Sequence, residues 1–118
     1  DSQTTVLVVE NYHDEQSGNV NGNDNIANIE IPVEKGFINF EIDYSLDSAN
    51  VNPLEESQVT LRLTDADGAV VQEENGVSES SGTWSFSSVV LFSSFVFFFA
   101  FVCESGILDF DLVIDVTY

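Results

Sequence analysis

The segment that most constrains this chain is FVFFFAFV, residues 95–102, which has no polar face when it is extended. Successive side chains of a β-strand point to opposite faces, so both faces of this segment are apolar. An ordinary half-buried strand alternates apolar with polar residues and leaves one face to water. We therefore predict a strand with one face in the core and the other covered by a loop or an adjoining subunit. The candidate interface or groove residues are Phe95, Phe97, Phe98, Phe99 and Phe101.

The rest of the chain is strongly acidic. Its 118 residues include 21 Asp and Glu against two Lys and Arg, which gives a net charge of −19. Nucleic acids and anionic membrane surfaces are excluded as partners because phosphate groups are bound by Lys and Arg. The acidity does not indicate disorder, since 43% of the residues are hydrophobic. The length predicts a single domain, residues 1–118, with one core.

The hydrophobic pattern predicts strands throughout, because no segment keeps helical spacing for three turns. The predicted strands are 4–10, 26–33, 37–44, 58–64, 69–74, 83–92, 95–103 and 107–118. Segments 83–92 and 95–103 are either two strands that meet at Ser93-Ser94 or one long bent strand. Residues 11–25 are predicted to form a flexible polar loop. The turn spacing is typical of an all-β fold, a single β-sandwich of about eight strands with jelly-roll or immunoglobulin-like Greek-key topology.

Residues 84–103 allow a competing interpretation, because twenty uncharged residues are long enough to span a bilayer as a helix. Phe and Val dominate the segment and favour strands. No Lys or Arg flanks it to set an orientation, and a well-patterned strand follows after three residues. A membrane contact is therefore not expected, although a membrane-anchored surface protein remains an alternative.

Candidate chemistry is sparse, and no enzyme is expected. His13, the only histidine, lies in a polar segment, and nothing in the sequence places it near Cys103 or a particular Ser. No cofactor is required. Calcium is a candidate ligand at Asp65 and Asp67, because hard cations prefer loop carboxylates, but Asp-Ala-Asp-Gly is also typical of a hairpin turn. The Ser-rich segment 78–88 is a candidate for O-linked glycan.

The N-terminal segment is unusual because an apolar β-branched run begins four residues into the chain. Such a segment can add to a neighbouring subunit's sheet, gaining main-chain hydrogen bonds and filling apolar pockets. The alternative is that residues 4–10 form the first strand of their own sandwich. The candidate self-assembly strand consists of Thr4, Thr5, Val6, Leu7, Val8 and Val9.

Together, the start TTVLVV, the all-β pattern and the closing strand ILDFDLVIDVTY (107–118) resemble secreted β-sandwich subunits of bacterial and archaeal surface filaments. The resemblance implies donor-strand exchange by residues 1–10 into a groove lined partly by the Phe run. It implies an extracellular or cell-surface homo-oligomer, a filament subunit without catalysis. A start at Asp1 without a signal peptide also favours secretion. The alternative function is a monomeric adhesin or a calcium-dependent carbohydrate-binding sandwich.

Overall fold

The computed structural model describes residues 10–22, 26–33, 37–50, 52, 54, 56–87 and 96–118, with only the backbone of residues 26–28. These residues form eight strands. In chain order they are β1 (Tyr12–Asn21), β2 (Ile26–Pro32), β3 (Asn39–Ser48), β4 (Gln58–Asp65), β5 (Val70–Val77), β6 (Ser80–Ser87), β7 (Val96–Ser105) and β8 (Ile107–Thr117).

The strands form two antiparallel four-stranded sheets. Sheet A has the order β1-β8-β3-β6 and sheet B the order β2-β7-β4-β5. The first strand pairs with the last, the second with the seventh, the third with the sixth and the fourth with the fifth. The chain is thus one long antiparallel hairpin rolled into two sheets. The predicted all-β sandwich is confirmed, and its strand order is that of a jelly roll.

The core lies between the sheets and follows the predicted alternation closely. In β8 every second residue from Leu108 to Val116 is buried, and in β4 the inward side chains are Val59, Leu61 and Leu63. Because side chains alternate along a strand, the intervening residues face outward. Ile38 lies within the predicted strand 37–44, but it is 64% exposed and precedes the observed strand, which begins at Asn39.

The Phe-rich segment occupies β7, inside sheet B. Phe97, Phe99 and Phe101 are at most 1% exposed and pack in the core. The ring of Phe99 meets Trp84 of the opposite sheet edge-to-face, with centroids 5.4 Å apart. The prediction that one face of this segment packs in the core is thus confirmed. These three rings do not line the predicted groove, because their own sandwich buries them. The alternate residues of β7, including Phe98, are partly exposed on the outer face; Phe95 lies outside the described residues.

The predicted loop over residues 11–25 is wrong for Tyr12–Asn21, which form β1 and pair with β8 along their whole length. Of the ten residues in β1 only Val20 is buried, so the strand lacks the apolar alternation that sequence patterns detect. Its outward side chains bond to β8 instead. Ser17 Oγ donates to Asp111 at 2.6 Å and Asn19 Nδ2 donates to Asp109 at 2.9 Å.

The alternative helix over residues 84–103 is also wrong where the structure describes that segment. Residues 84–87 end β6 in sheet A, and residues 96–103 lie in β7 of sheet B. Within the described ranges, no helix has the length and apolar character needed to cross a membrane.

Candidate functional site

The four sheet edges differ in how they are protected against pairing with another chain. Unprotected edges are templates for strand addition, and proteins usually block them with charges, proline or bulges. The edge strand β1 carries His13, Asp14 and Glu15, and β2 carries Glu30 and Pro32. The edge strand β5 carries two adjacent glutamates and an irregular register against β4. Three of the four edges thus bear recognised protective features.

The fourth edge, β6, has none of these features. Its eight residues, SSGTWSFS, include neither a charged residue nor a proline. It lies at the end of sheet A, and within the described part of the chain it pairs only with β3. Its outer backbone groups are the kind of edge to which an extended peptide can add. We call β6 from Ser80 to Ser87 the open edge.

The open edge is anchored by its contacts with the core and with β3. Trp84 and Phe86 point inward and are each 5% exposed, so they anchor the strand to the core. On the outer face, Thr83 Oγ1 donates to Asp43 Oδ1 at 2.5 Å, and Ser85 Oγ donates to Asn39 Oδ1 at 3.0 Å. These hydroxyl groups therefore bond inward along the sheet, and the strand is already extended for pairing.

Gly82 has no side chain, so the backbone of the open edge is uncovered on the side that faces Tyr44. A Cβ at this position would lie 2.6 Å from the hydroxyl oxygen of Tyr44, the residue paired with it on β3. The Tyr44 ring can therefore lie against the β6 backbone only because residue 82 is glycine. Burial, with a smaller contribution from the charge of Glu74, raises the pKa of Tyr44, so the phenol stays neutral at ordinary pH.

The candidate calcium residues Asp65 and Asp67 lie in the β4–β5 hairpin turn. The Asp65 carboxylate accepts hydrogen bonds from the backbone N–H groups of Asp67 and Ala69, each at 2.9 Å. Gly68 completes the turn with φ +86°. Among the described residues, no group of three or more His, Cys, Asp or Glu side chains is placed to hold a metal ion. Calcium binding stays a prediction.

The outer face of sheet A concentrates carboxylates around the only histidine. His13 Nδ1 lies 2.5 Å from Asp115 Oδ1, and its other ring nitrogen lies 3.6 Å from Glu15. The hydrogen bond to Asp115, together with the charges of both carboxylates, raises the pKa of His13 above its ordinary value of 6.5. Asp115 is in turn opposite Glu41 of β3, and such like-charged cross-strand pairs are unfavourable.

The structure does not bring His13 and Cys103 together. His13 is exposed on the outer face of sheet A, whereas Cys103 is 1% exposed and points into the core from sheet B. Burial raises the pKa of the Cys103 thiol, which favours the protonated, unreactive form. These two residues therefore offer no nucleophile and base pair.

The proposed donor residues Thr4, Thr5, Val6, Leu7, Val8 and Val9 lie outside the described residues. The open edge was not singled out from the sequence, although one signal for it was visible. Residues 80–103 contain no charge, and this uncharged region begins at the first residue of β6. What the sequence could not show is that β6 ends a sheet.

No protein-family model and no curated protein matches the chain. Solved structures do match it. A mitogen derived from Yersinia pseudotuberculosis, YPM, is 17% identical with a TM-score of 0.53, and the match covers 90% of this chain and 85% of that one. The SPBc2 prophage-derived protein YomS is 11% identical with a TM-score of 0.50, covering 94% and 99% of the two chains. At these identities the likeness shows a shared β fold.

Proposed function

We propose that this chain is a non-catalytic structural subunit of a filament or surface assembly, which polymerises when residues 4–9 of one copy add to the open edge of the next. The observation that supports the proposal is the open edge itself, the one edge among the described strands that lacks charge and proline. This edge replaces the Phe-lined groove as the acceptor, because Phe97, Phe99 and Phe101 are buried in their own core.

The donor segment matches this acceptor in chemistry. Residues 4–9, TTVLVV, are uncharged and rich in β-branched residues, which favour extended pairing. In a strand added to β6, alternate side chains would continue the core beyond Trp84 and Phe86. A charged donor would place its charges beside these two apolar residues, whereas Val and Leu extend the apolar layer.

The positions of donor and acceptor favour an open polymer. Residues 4–9 precede β1, which forms one edge of sheet A, and β6 forms the opposite edge of the same sheet. A contact that joins two different surfaces is heterologous, and such contacts produce open chains when the rotation does not close a ring. Repeated addition would join sheet A of successive subunits into a longer sheet.

The test introduces Lys at the centre of the open edge, with Ser85→Lys, and measures assembly by negative-stain microscopy and sedimentation. Lys on an edge strand opposes pairing with another chain. We expect the critical concentration for assembly to rise by about ten-fold or more, which corresponds to about 1.4 kcal/mol. Deleting residues 1–9 should abolish assembly, because it removes the donor segment. The deletion stops short of β1, so the sandwich itself should still fold.

The matched control is Ser17→Lys on the opposite edge of sheet A. Both serines are exposed, and each new Lys would face a carboxylate of its own sheet, Glu41 for residue 85 and Asp111 for residue 17. The two variants change the net charge equally, so a general electrostatic effect would alter both. Equal assembly by the two variants, or polymers from the chain without residues 1–9, would refute strand addition at the open edge.

A further inference from the structure

A polar pocket of about 490 Å³ opens at the end of the sandwich where β3 ends and β4 begins. Glu56 and Ser57, just before β4, and Ser78 and Glu79, between β5 and β6, line it. Its volume lies within the range of about 300–1,000 Å³ that is typical of small-molecule sites. The pocket lies at the end of the sheets, whereas the open edge runs along their side, so the two features can be tested separately.

One wall of the pocket is fixed by a hydrogen-bond network around Asn50. Asn50 Nδ2 donates to Ser57 Oγ at 2.6 Å, and Asn50 Oδ1 accepts from the backbone N–H of Ile107 at 2.8 Å. Ser57, which is 5% exposed, donates to the Ile107 carbonyl at 3.2 Å. Gly106 has φ +75°, and a Cβ there would lie 2.2 Å from Ser57 Oγ. This wall is therefore preorganised.

Ser48 belongs to the same network, since its Oγ accepts from Asn50 Nδ2 at 3.1 Å, whereas four other lining side chains stand outside it. The side chains of Glu56, Gln58, Ser78 and Glu79 are exposed and form no hydrogen bond or ion pair with the described part of the chain. Two of them are carboxylates, and none of the described lining residues is a Lys or Arg. Arg62, the described cationic residue of β4, is paired with Glu73 at 2.5 Å. The pocket thus disfavours anionic ligands.

We propose that this pocket binds a small polar molecule carrying a primary ammonium group. The ammonium would be shared by Glu56 and Glu79, while Gln58 and Ser78 offer hydrogen bonds to the ligand's polar groups. The described lining contains no aromatic side chain, so a neutral sugar would lack a stacking surface. An amino sugar and a short aliphatic diamine share the required chemistry.

The test is calorimetric titration of the full chain with glucosamine, putrescine and glucose at about 0.15 M salt, where exposed charges more than about 8 Å apart are screened. Saturable binding of glucosamine or putrescine, without binding of glucose, supports the proposal. The amine that binds more tightly shows whether the pocket prefers an amino sugar or an aliphatic diamine. The double variant Glu56→Gln/Glu79→Gln should weaken binding by about five-fold or more, as expected for exposed ion pairs.

The control is the double variant Glu15→Gln/Glu41→Gln on the outer face of sheet A, which changes the net charge by the same amount. It is essential because a chain of net charge −19 attracts any cation. Equal weakening in the two double variants, equal binding of glucose, or no saturable binding of either amine would overturn the proposal. Assembly of the chain is scored independently, since these substitutions leave β6 and residues 4–9 unchanged.

Discussion

At the scale of single residues, His13 on the outer face of sheet A makes the stability of the fold depend on pH. The hydrogen bond and the negative charges around it favour the imidazolium form in the folded state, so its folded pKa lies above the ordinary value of 6.5. A group whose pKa is raised on folding stabilises the fold fully below its unfolded pKa. That stability is lost as the pH rises through the folded pKa.

We therefore expect His13→Gln to lower the melting temperature below pH 6.5 and to have progressively less effect as the pH rises through the raised pKa of His13. Thermal unfolding of both chains between about pH 5 and 9, above the titration range of ordinary carboxylates, measures this difference. Asp115→Asn is the control, because it removes the main cause of the shift and should return the imidazole pKa, read by NMR, towards 6.5. A melting difference that grows with pH would contradict this account.

At the scale of the strand, β7 shows why the Phe-rich segment needs no polar residue. Its inward rings fill the core, and its outward residues lie between β2 and β4 in the middle of sheet B, where neighbouring strands limit their exposure. A strand on the inside of a sheet can therefore be apolar on both faces. The segment is mainly a core element, and only its outer row, which includes Phe98, reaches the surface.

Two neighbouring phenylalanines test this division of β7. Phe99→Ala should lower the free energy of unfolding by about 3–5 kcal/mol, because it leaves a cavity beside Trp84 and Phe101. Phe98→Ala removes a partly exposed ring from the outer face and should cost less than about 2 kcal/mol. Urea unfolding of both variants gives the two values, and equal losses would show that the faces are wrongly assigned.

Some strands could be predicted from the sequence, and others could not. β8 and β4 were predicted accurately because their alternation of apolar and polar residues mirrors burial directly. β1 was missed, since its stability depends on pairing with β8, about ninety residues away, rather than on its own apolar face. The pocket was missed for a similar reason, because residues near 48, 57 and 79 meet only when β3, β4 and the β5–β6 turn share one end.

At the scale of the whole molecule, the charge distribution and the protection of the sheet edges both favour β6 as the place where another copy can approach. The outer face of sheet A carries like-charged pairs, among them Asp109 opposite Asp47 and Asp115 opposite Glu41. A net charge of −19 opposes contact between such faces. The open edge is uncharged along its full length, so pairing there places the fewest charges against each other.

The most direct test of strand addition is amide hydrogen exchange, compared between assembled and dissociated chains. Amides of Ser80–Ser87 that face away from β3 should gain protection on assembly, together with residues 4–9, because both would enter new main-chain hydrogen bonds. Exchange in the edge strands β1 and β5 should stay unchanged. Assembled material in which β6 and residues 4–9 exchange as fast as in the dissociated chain would contradict the central claim.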